Sequence, residues 1–431
     1  KKKNCWTVVC SIPLNKPASH LASSSDGRLL AIANADGSIS CFDVTASRET
    51  IERFSITLRW TTSMNNGAPS SIRSLAFAPL DNSEYWLMLV DSENAQLIIY
   101  NAAARDISIA TTVSTNASSA SWYPCNNLSK PSQRLLVIGG SDGSLGIAQF
   151  DGEKLDLIRT LQMPSRFCSA ESNDVPWNCS HLNWLQTTQQ QHEQTHTLAV
   201  GFTRILELSK EEEESNDNDD DDDPRQHQVA FFIGSFSISS SKDTAVQWDE
   251  MSDVAPFFSV PKGGKHALFS TYASLALAIS DDFESTADYT SSCRGLLFVG
   301  CNLSSDVSVI AHFHMKNESS PLWELLDMQE GSNATTPIDE SDSFTFPVGL
   351  VLCTSPIILR SSVLTEKQNG TQVLLLASNN GALSQFTINL QTDQEHDGHV
   401  YADKSLSIIT IPPLHYTPVP QIEQKQQHEC S

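Results

Sequence analysis

Apolar and polar positions recur along this chain in one repeated order. Arg28 to Val44 (RLLAIANADGSISCFDV), Arg134 to Asp151 (RLLVIGGSDGSLGIAQFD) and Val373 to Ile388 (VLLLASNNGALSQFTI) share a plan. Each has an apolar run, a small-residue stretch, an Asp-Gly or Asn-Gly pair, an alternating run, and an aromatic followed by a polar residue. Gly and Asn tolerate the positive φ of tight turns, so each segment predicts a β-hairpin. Weaker copies lie at Tyr85 to Asn101 and Leu296 to Phe313, and Leu198 to Leu208 begins another. A further strand precedes several of them: SHLASSSDG, IRSLAFAPL, SASWYPCNNL and SHLNWLQTT. Repetition at this period predicts four-stranded propeller blades, read in outer-to-inner order along the chain.

The closing pairs Phe42-Asp43, Tyr100-Asn101 and Phe150-Asp151, with Trp248-Asp249 farther on, resemble a degraded WD dipeptide, but no Gly-His element accompanies them. The fold expected is therefore all-β, a divergent WD40-like β-propeller. A propeller spends the 431 residues on one ring spanning residues 1–417, with an acidic loop at 209–227 inserted in a blade and a Gln-rich linker tail at 418–431. Pro321 to Gln329 is the longest helix candidate and reads equally well as a strand.

Charge narrows the partners. With 27 basic against 51 acidic residues the formal charge is −24, which argues against a broad phosphate-binding surface and favours a basic protein partner. The densest run, Glu211 to Asp223, cannot be buried and reads as a solvated spacer. Ten dispersed cysteines show no CxxC pair and read as free, mostly buried thiols of a reducing compartment. Sequons at Asn116, Asn127, Asn178, Asn302, Asn317, Asn333 and Asn369 keep a secreted glycoprotein propeller as the alternative.

Catalytic signals are weak. GGSDGSLG at Gly139 to Gly146 lacks the Lys-Ser/Thr of a phosphate loop and reads as a hairpin turn, and Lys262-Gly263-Gly264-Lys265 shares the defect. His312 with His314, and His396 with His399, have ligand-like spacings without an evident third ligand. No carboxylate pair stands out for glycoside chemistry, and no nucleophile elbow is present. The reading is of a non-enzymatic protein without cofactor, metal or catalytic residues.

The last third, from DVSVIAHFHMKNESSPLWELLDMQEGSNATTPIDESDSFTFPVGLVL to VLLLASNNGALSQFTINL, resembles the N-terminal β-propellers of the large FG-repeat nucleoporins of the nuclear pore's cytoplasmic face. PASHLASSSDGRLLAIANADGSISCFDV, IRSLAFAPL and RLLVIGGSDGSLGIAQF follow in the matching order, so the resemblance spans nearly the whole chain. It implies a seven-bladed ring whose first blade is incomplete in this chain, starting at its last strand around Trp6 to Ile12. It implies docking of a DEAD-box RNA helicase for mRNA export, with neighbouring cytoplasmic-face nucleoporins engaged outside this chain and no direct nucleic-acid or membrane contact. The helicase-docking loop implied is Thr335 to Phe346. There Pro337 stiffens the entry, Ile338 is the apolar anchor, and Asp339, Glu340 and Asp342 face basic side chains in competition with RNA. From the residues alone, an ordinary polar loop with Ile338 folded inward is the preferred reading, and the resemblance reverses it; a generic interaction scaffold remains a further alternative.

Overall fold

The computed structural model describes residues 18–34, 36–45, 55–63, 72–80, 84–91, 94–124, 134–164, 176–190, 193–207, 225–237, 243–251, 269–275, 291–301, 305–315, 322–325, 345–353, 372–378, 383–390 and 406–410. Among them the regular structure is all strand. Sheet 1 is β1 (Ala18–Ser23), β2 (Leu29–Asn34), β3 (Ser38–Thr45) and β4 (Ser55–Ser63). Sheet 2 is β5 (Ile72–Phe77), β6 (Trp86–Asp91), β7 (Gln96–Asn101) and β8 (Ile109–Ser114). Sheet 3 is β9 (Ala117–Trp122), β10 (Arg134–Gly140), β11 (Leu145–Phe150) and β12 (Leu155–Leu161). Sheet 4 is β13 (Asn178–Gln190), β14 (Glu193–Glu207), β15 (Arg225–Ser237) and β17 (Gln247–Glu250), with β16 (Asp243–Thr244) leaving it to join sheet 3. Sheet 5 is β18 (Phe269–Leu275), β19 (Ser291–Cys301), β20 (Ser308–Met315) and β21 (Leu322–Leu325). Sheet 6 is β22 (Pro347–Cys353), β23 (Gln372–Ser378), β24 (Leu383–Leu390) and β25 (Leu406–Thr410).

Within each sheet successive strands are antiparallel, and the three strongest sequence repeats are the central pairs β2–β3, β10–β11 and β23–β24. Across sheets, β1 packs on β5, β5 on β9, β9 on β13, β13 on β18 and β18 on β22. First strands that touch in chain order while the sheets fan outward are the geometry of a propeller axis. This corrects the expected outer-to-inner order: the first strand of each sheet is the inner one. Burial misled that reading, because the second strand, covered on both faces, is the more apolar. Thus β6 (WLMLVD) is buried throughout, whereas the outermost β12 alternates with exposed positions.

The cores lie in the seams between neighbouring sheets. Leu29, Ala31, Ile39, Cys41 and Trp60 meet Leu87, Leu89, Ile98 and Tyr100 between sheets 1 and 2. Trp86, Met88, Ile99, Trp122, Leu136 and Phe150 fill the next seam. The seam of sheets 3 and 4 holds Val137, Ile147, Trp177, Leu182, Trp184, Val200, Phe202 and Phe232. Phe231, Ile233, Leu297, Val299 and Trp323 follow between sheets 4 and 5.

Several expectations are refined here. The Asp-Gly turns are three-residue loops: between β10 and β11 the Gly143 amide donates to Gly140 O at 3.0 Å and the Gly140 amide to Ser144 O at 2.7 Å. Only the glycine takes positive φ, +82° at Gly143 and +77° at Gly37, which is a type I turn closed by a left-handed residue rather than a two-residue turn. Trp248-Asp249 lies on β17, a fourth strand, so it does not end a central hairpin as Phe42-Asp43 does. Pro321 to Gln329 supplies strand β21, not a helix, in its described residues. Strand β15 begins at Arg225, so the last three residues of 209–227 belong to a strand. Six sheets are described; Trp6 to Ile12 and the tail 418–431 lie outside the described residues.

Candidate functional site

Alternating antiparallel strands divide the connections between two ends of the propeller. The turns joining second to third strands, and the connections from a fourth strand to the next first strand, open on one end; the remaining turns open on the other. Hydrogen bonds record this grouping. Thr115, between β8 and β9, donates its amide to Ala95 O in the β6–β7 turn at 2.8 Å, and the Ser141 amide of the β10–β11 turn donates to Asn116 O at 2.7 Å.

The helicase-docking residues Pro337, Ile338, Asp339, Glu340 and Asp342 lie outside the described residues. Their anchors do not. The segment leaves β21, the fourth strand of sheet 5, and enters β22, the first strand of sheet 6, so it springs from the first of these two ends. Its exit is fixed: Thr345 and Pro347 are buried, and Pro347 packs so closely on Gly300 of β19 that a Cβ there would come within 2.8 Å of the proline ring. The acidic run Glu211 to Asp223 also lies outside the described residues, and it joins β14 to β15, a second-to-third connection. Its anchors therefore open on the same end, where the long β14–β15 ladder finishes at the pair Glu207 and Arg225. The sequence alone did not show that the strands anchoring its two acidic segments end on the same side of the molecule.

The described turns at that end add fixed carboxylates. Asp36 Oδ1 accepts from the Ser38 amide at 3.0 Å and its hydroxyl at 2.6 Å, and Asp142 repeats the arrangement with Ser144 at 3.0 and 2.6 Å. The Ser144 hydroxyl bond holds the Asp142 carboxyl below the usual carboxylate range, although partial burial opposes it. Asp91 accepts from the Asn94 amide and side chain, the latter at 2.7 Å, beside Ala95, which takes φ +48° where its counterparts use glycine.

Among the described residues, Arg134 and Arg59 engage carboxylates toward the opposite end, where they clamp sheets together. Arg134 Nη1 meets Glu84 Oε2 at 3.1 Å across sheets 2 and 3. Arg59 Nε donates to both Asp43 oxygens at 3.1 and 3.2 Å, and its Nη1 reaches Ala103 O of sheet 2. Tyr85 Oη donates to Asp26 Oδ2 at 2.6 Å. Desolvation pushes the Asp26 carboxyl up, but the bonds from Tyr85, Ser24 and the Arg28 amide outweigh it and leave it low. Asp43 was legible as the polar half of an aromatic-polar pair; its partner Arg59 carried no sequence signal. In the same pairs, Asn101 accepts from the Ala103 amide at 3.1 Å and Asp151 from the Glu153 and Lys154 amides at 3.0 and 2.7 Å. The polar member therefore organises the turn beyond the strand.

The remaining candidate features resolve as structure. GGSDGSLG is the β10–β11 hairpin. His312 and His314 lie in β20, while Lys262 to Lys265, His396 and His399 lie outside the described residues. Cys41 and Cys179 are free and buried, and burial raises the Cys41 thiol to about 12. The sequon at Asn116 places Ser118 where its hydroxyl is buried and donates to Cys179 O at 2.7 Å; the Asn178 carbonyl oxygen is likewise buried.

Residues 5–198 match the family model described as NUP159/214 beta propeller. Over that span the chain is similar to this nucleoporin propeller family. No curated protein matches the sequence. Among solved structures, the N-terminal domain of Nup159 is similar at 14% identity and TM-score 0.48, over 86% of this chain and 75% of that one. A Vanderwaltozyma polyspora Nup133 β-propeller is similar at 11% identity and TM-score 0.45, over 87% and 84%. An S. cerevisiae assembly of a Dbp5 variant bound to Nup159, a Gle1 variant, IP6 and ADP is similar at 14% identity and TM-score 0.37, over 88% and 90%. At these scores the likenesses carry no argument, and the propeller fold rests on the chain's own sheets.

Proposed function

We propose that this nucleoporin propeller docks a DEAD-box RNA helicase at the cytoplasmic face of the nuclear pore and takes part in mRNA export without catalysing a reaction itself. The Thr335 to Phe346 loop makes the contact. Ile338, stiffened by Pro337, is the apolar anchor, and Asp339, Glu340 and Asp342 face basic side chains that RNA otherwise occupies, so docking favours RNA release. The observation that carries the reading is the family match, together with the origin of this loop on the same propeller end as the acidic run. Nup159 is bound with Dbp5 in the yeast assembly named above; the same class of partner suits a chain of formal charge −24. A desolvated apolar centre with a charged rim is how small interfaces concentrate affinity.

Calorimetric titration with the purified helicase tests this. Ile338→Glu is expected to weaken binding by about 2 kcal/mol, in the range of an interface anchor. Neutralising Asp339, Glu340 and Asp342 to amides is expected to slow association and flatten its salt dependence. Unchanged affinity in both variants would remove the loop from the interface, and absence of any helicase binding by the unaltered chain would remove the partner.

A further inference from the structure

The fourth strands of sheets 1 to 3 share a device. Each carries one extra residue against its third strand, a bulge at Arg59 in β4, at Ala110 in β8 and at Ile158 in β12. Counting from the bulge therefore aligns their outer edges. In sheet 3 that edge is occupied. Thr160 and Leu161 pair in parallel with Asp243 and Thr244 of β16, and the Gln162 amide donates to Thr244 O at 2.9 Å. The segment then crosses toward sheet 4, where Val246 and Trp248 pack against the seam of sheets 3 and 4, so that β16 and β17 strap one sheet to the next.

Sheet 2 presents the same edge without an occupant among the described residues. Thr112, Val113 and Ser114 stand where Thr160, Leu161 and Gln162 stand in sheet 3. The Thr115 amide donates to Ala95 O, just before β7, at 2.8 Å. Alternation then turns the Ser114 amide away from β7, as the Gln162 amide is turned away from β11. The rim beside this edge is open as well. Leu157 of β12 stands opposite Ala148, on the face that sheet 3 turns to sheet 2. It lies over Gly146, where a Cβ would come within 2.6 Å of it, and is 65% exposed. The rims on either side are bridged, by the strap between sheets 3 and 4 and by Arg59 reaching Ala103 O between sheets 1 and 2.

The geometry points to an intermolecular counterpart of the strap: an extended segment of another protein pairs in parallel with β8 beyond its bulge and carries an apolar side chain onto Leu157. β16 and Trp248 supply the pattern, with apolar residues at alternate positions after the paired ones. Charge selects the source. Two copies of formal charge −24 repel each other, so the occupant is an uncharged or basic segment of a different protein and not a second copy. This inference rests on the repeat geometry and is independent of the helicase reading.

A fluorescent peptide copying Lys242 to Trp248 serves as the probe, read by anisotropy against the full chain. Binding is expected. Ser114→Pro, which removes the outward amide at an edge position where proline is tolerated, is expected to weaken it about tenfold, the worth of one hydrogen bond. Leu157→Glu, which charges the exposed rim without entering a core, is expected to weaken it by about the same factor. Leu58→Glu, at the equivalent place before the bulge of β4, is expected to leave it unchanged. No binding at millimolar peptide would overturn the proposal. So would binding that neither Ser114→Pro nor Leu157→Glu weakens, since the peptide would then sit elsewhere, in place of β16 for instance. A dimer in sedimentation that Leu157→Glu dissolves would overturn the choice of partner in favour of a second copy.

Discussion

Single residues set how closely the sheets approach. Gly139 ends the apolar run of β10 facing sheet 4, where a Cβ would fall 2.2 Å from Cys179 Sγ and 2.7 Å from its Cβ. Cys179 is fully buried and cannot give way, and the Ser118 hydroxyl bridges the same spot by donating to Gly139 O at 3.2 Å and Cys179 O at 2.7 Å. Gly139→Ala is therefore expected to destabilise the protein by about 1–3 kcal/mol, the usual cost of overpacking a tight core, read as a lower urea midpoint with unchanged slope. The small-residue stretch was visible in the sequence. Its reason was not, because the partner Cys179 is a strand of another sheet away.

At the scale of elements, sheets 3 and 4 are tied by a strap that no repeat announced. After β15 the chain crosses to the outer edge of sheet 3, where β16 pairs in parallel with β12 (Thr160 with Asp243, Leu161 with Thr244), and then returns as β17. Trp248 locks the return: its Nε1 donates to Gln162 O at 2.8 Å and its ring covers Gly234, where a Cβ would lie 2.4 Å from it. It also meets Phe232 edge-on, centroids 6.1 Å apart. Trp248→Ala is expected to cost about 2 kcal/mol, below the full core value because the ring is partly exposed. Exchange should accelerate first in β12 and β17, with β2 to β7 unaffected. The strap explains why Trp248-Asp249 departs from the other aromatic-polar pairs: it serves an edge between two sheets, a position defined only once both are folded.

The whole ring carries a pH dependence through sheet 4. Burial lowers His181 and His196 to about 4 each, with His196 enclosed by Tyr123, Trp184 and Phe236. In the unfolded chain both bind protons near 6.5, so between pH 6.5 and 4 the unfolded state binds more of them and stability falls as pH falls. The expected slope is about 1.4 kcal/mol per pH unit for each histidine at its steepest, levelling off near pH 4. Thermal melts across that window check it, and His196→Phe should flatten part of the loss. On the same scale, hairpin identity was legible because strand alternation and turn chemistry are local: the five hairpins the repeats name fall on central strand pairs, and Leu198 to Leu208, read as the start of another, lies almost wholly in β14 of the sixth. The direction of the blades was not, since burial along a strand does not say which neighbour covers it. The docking residues Pro337 to Asp342 were named by resemblance and stand outside the described residues; the structure supplies the position of their anchors.

What the amino-acid sequence determined by itself is the antiparallel hairpin unit and its repetition, because side-chain period and turn chemistry act within a few residues of one another. The tertiary structure decided which strand faces the axis, which residues clamp one sheet to the next, and that the strands flanking the two acidic segments end on one side of the ring. Those are relations between sheets, set by how apolar faces find each other across long chain separations, and no local pattern encodes them.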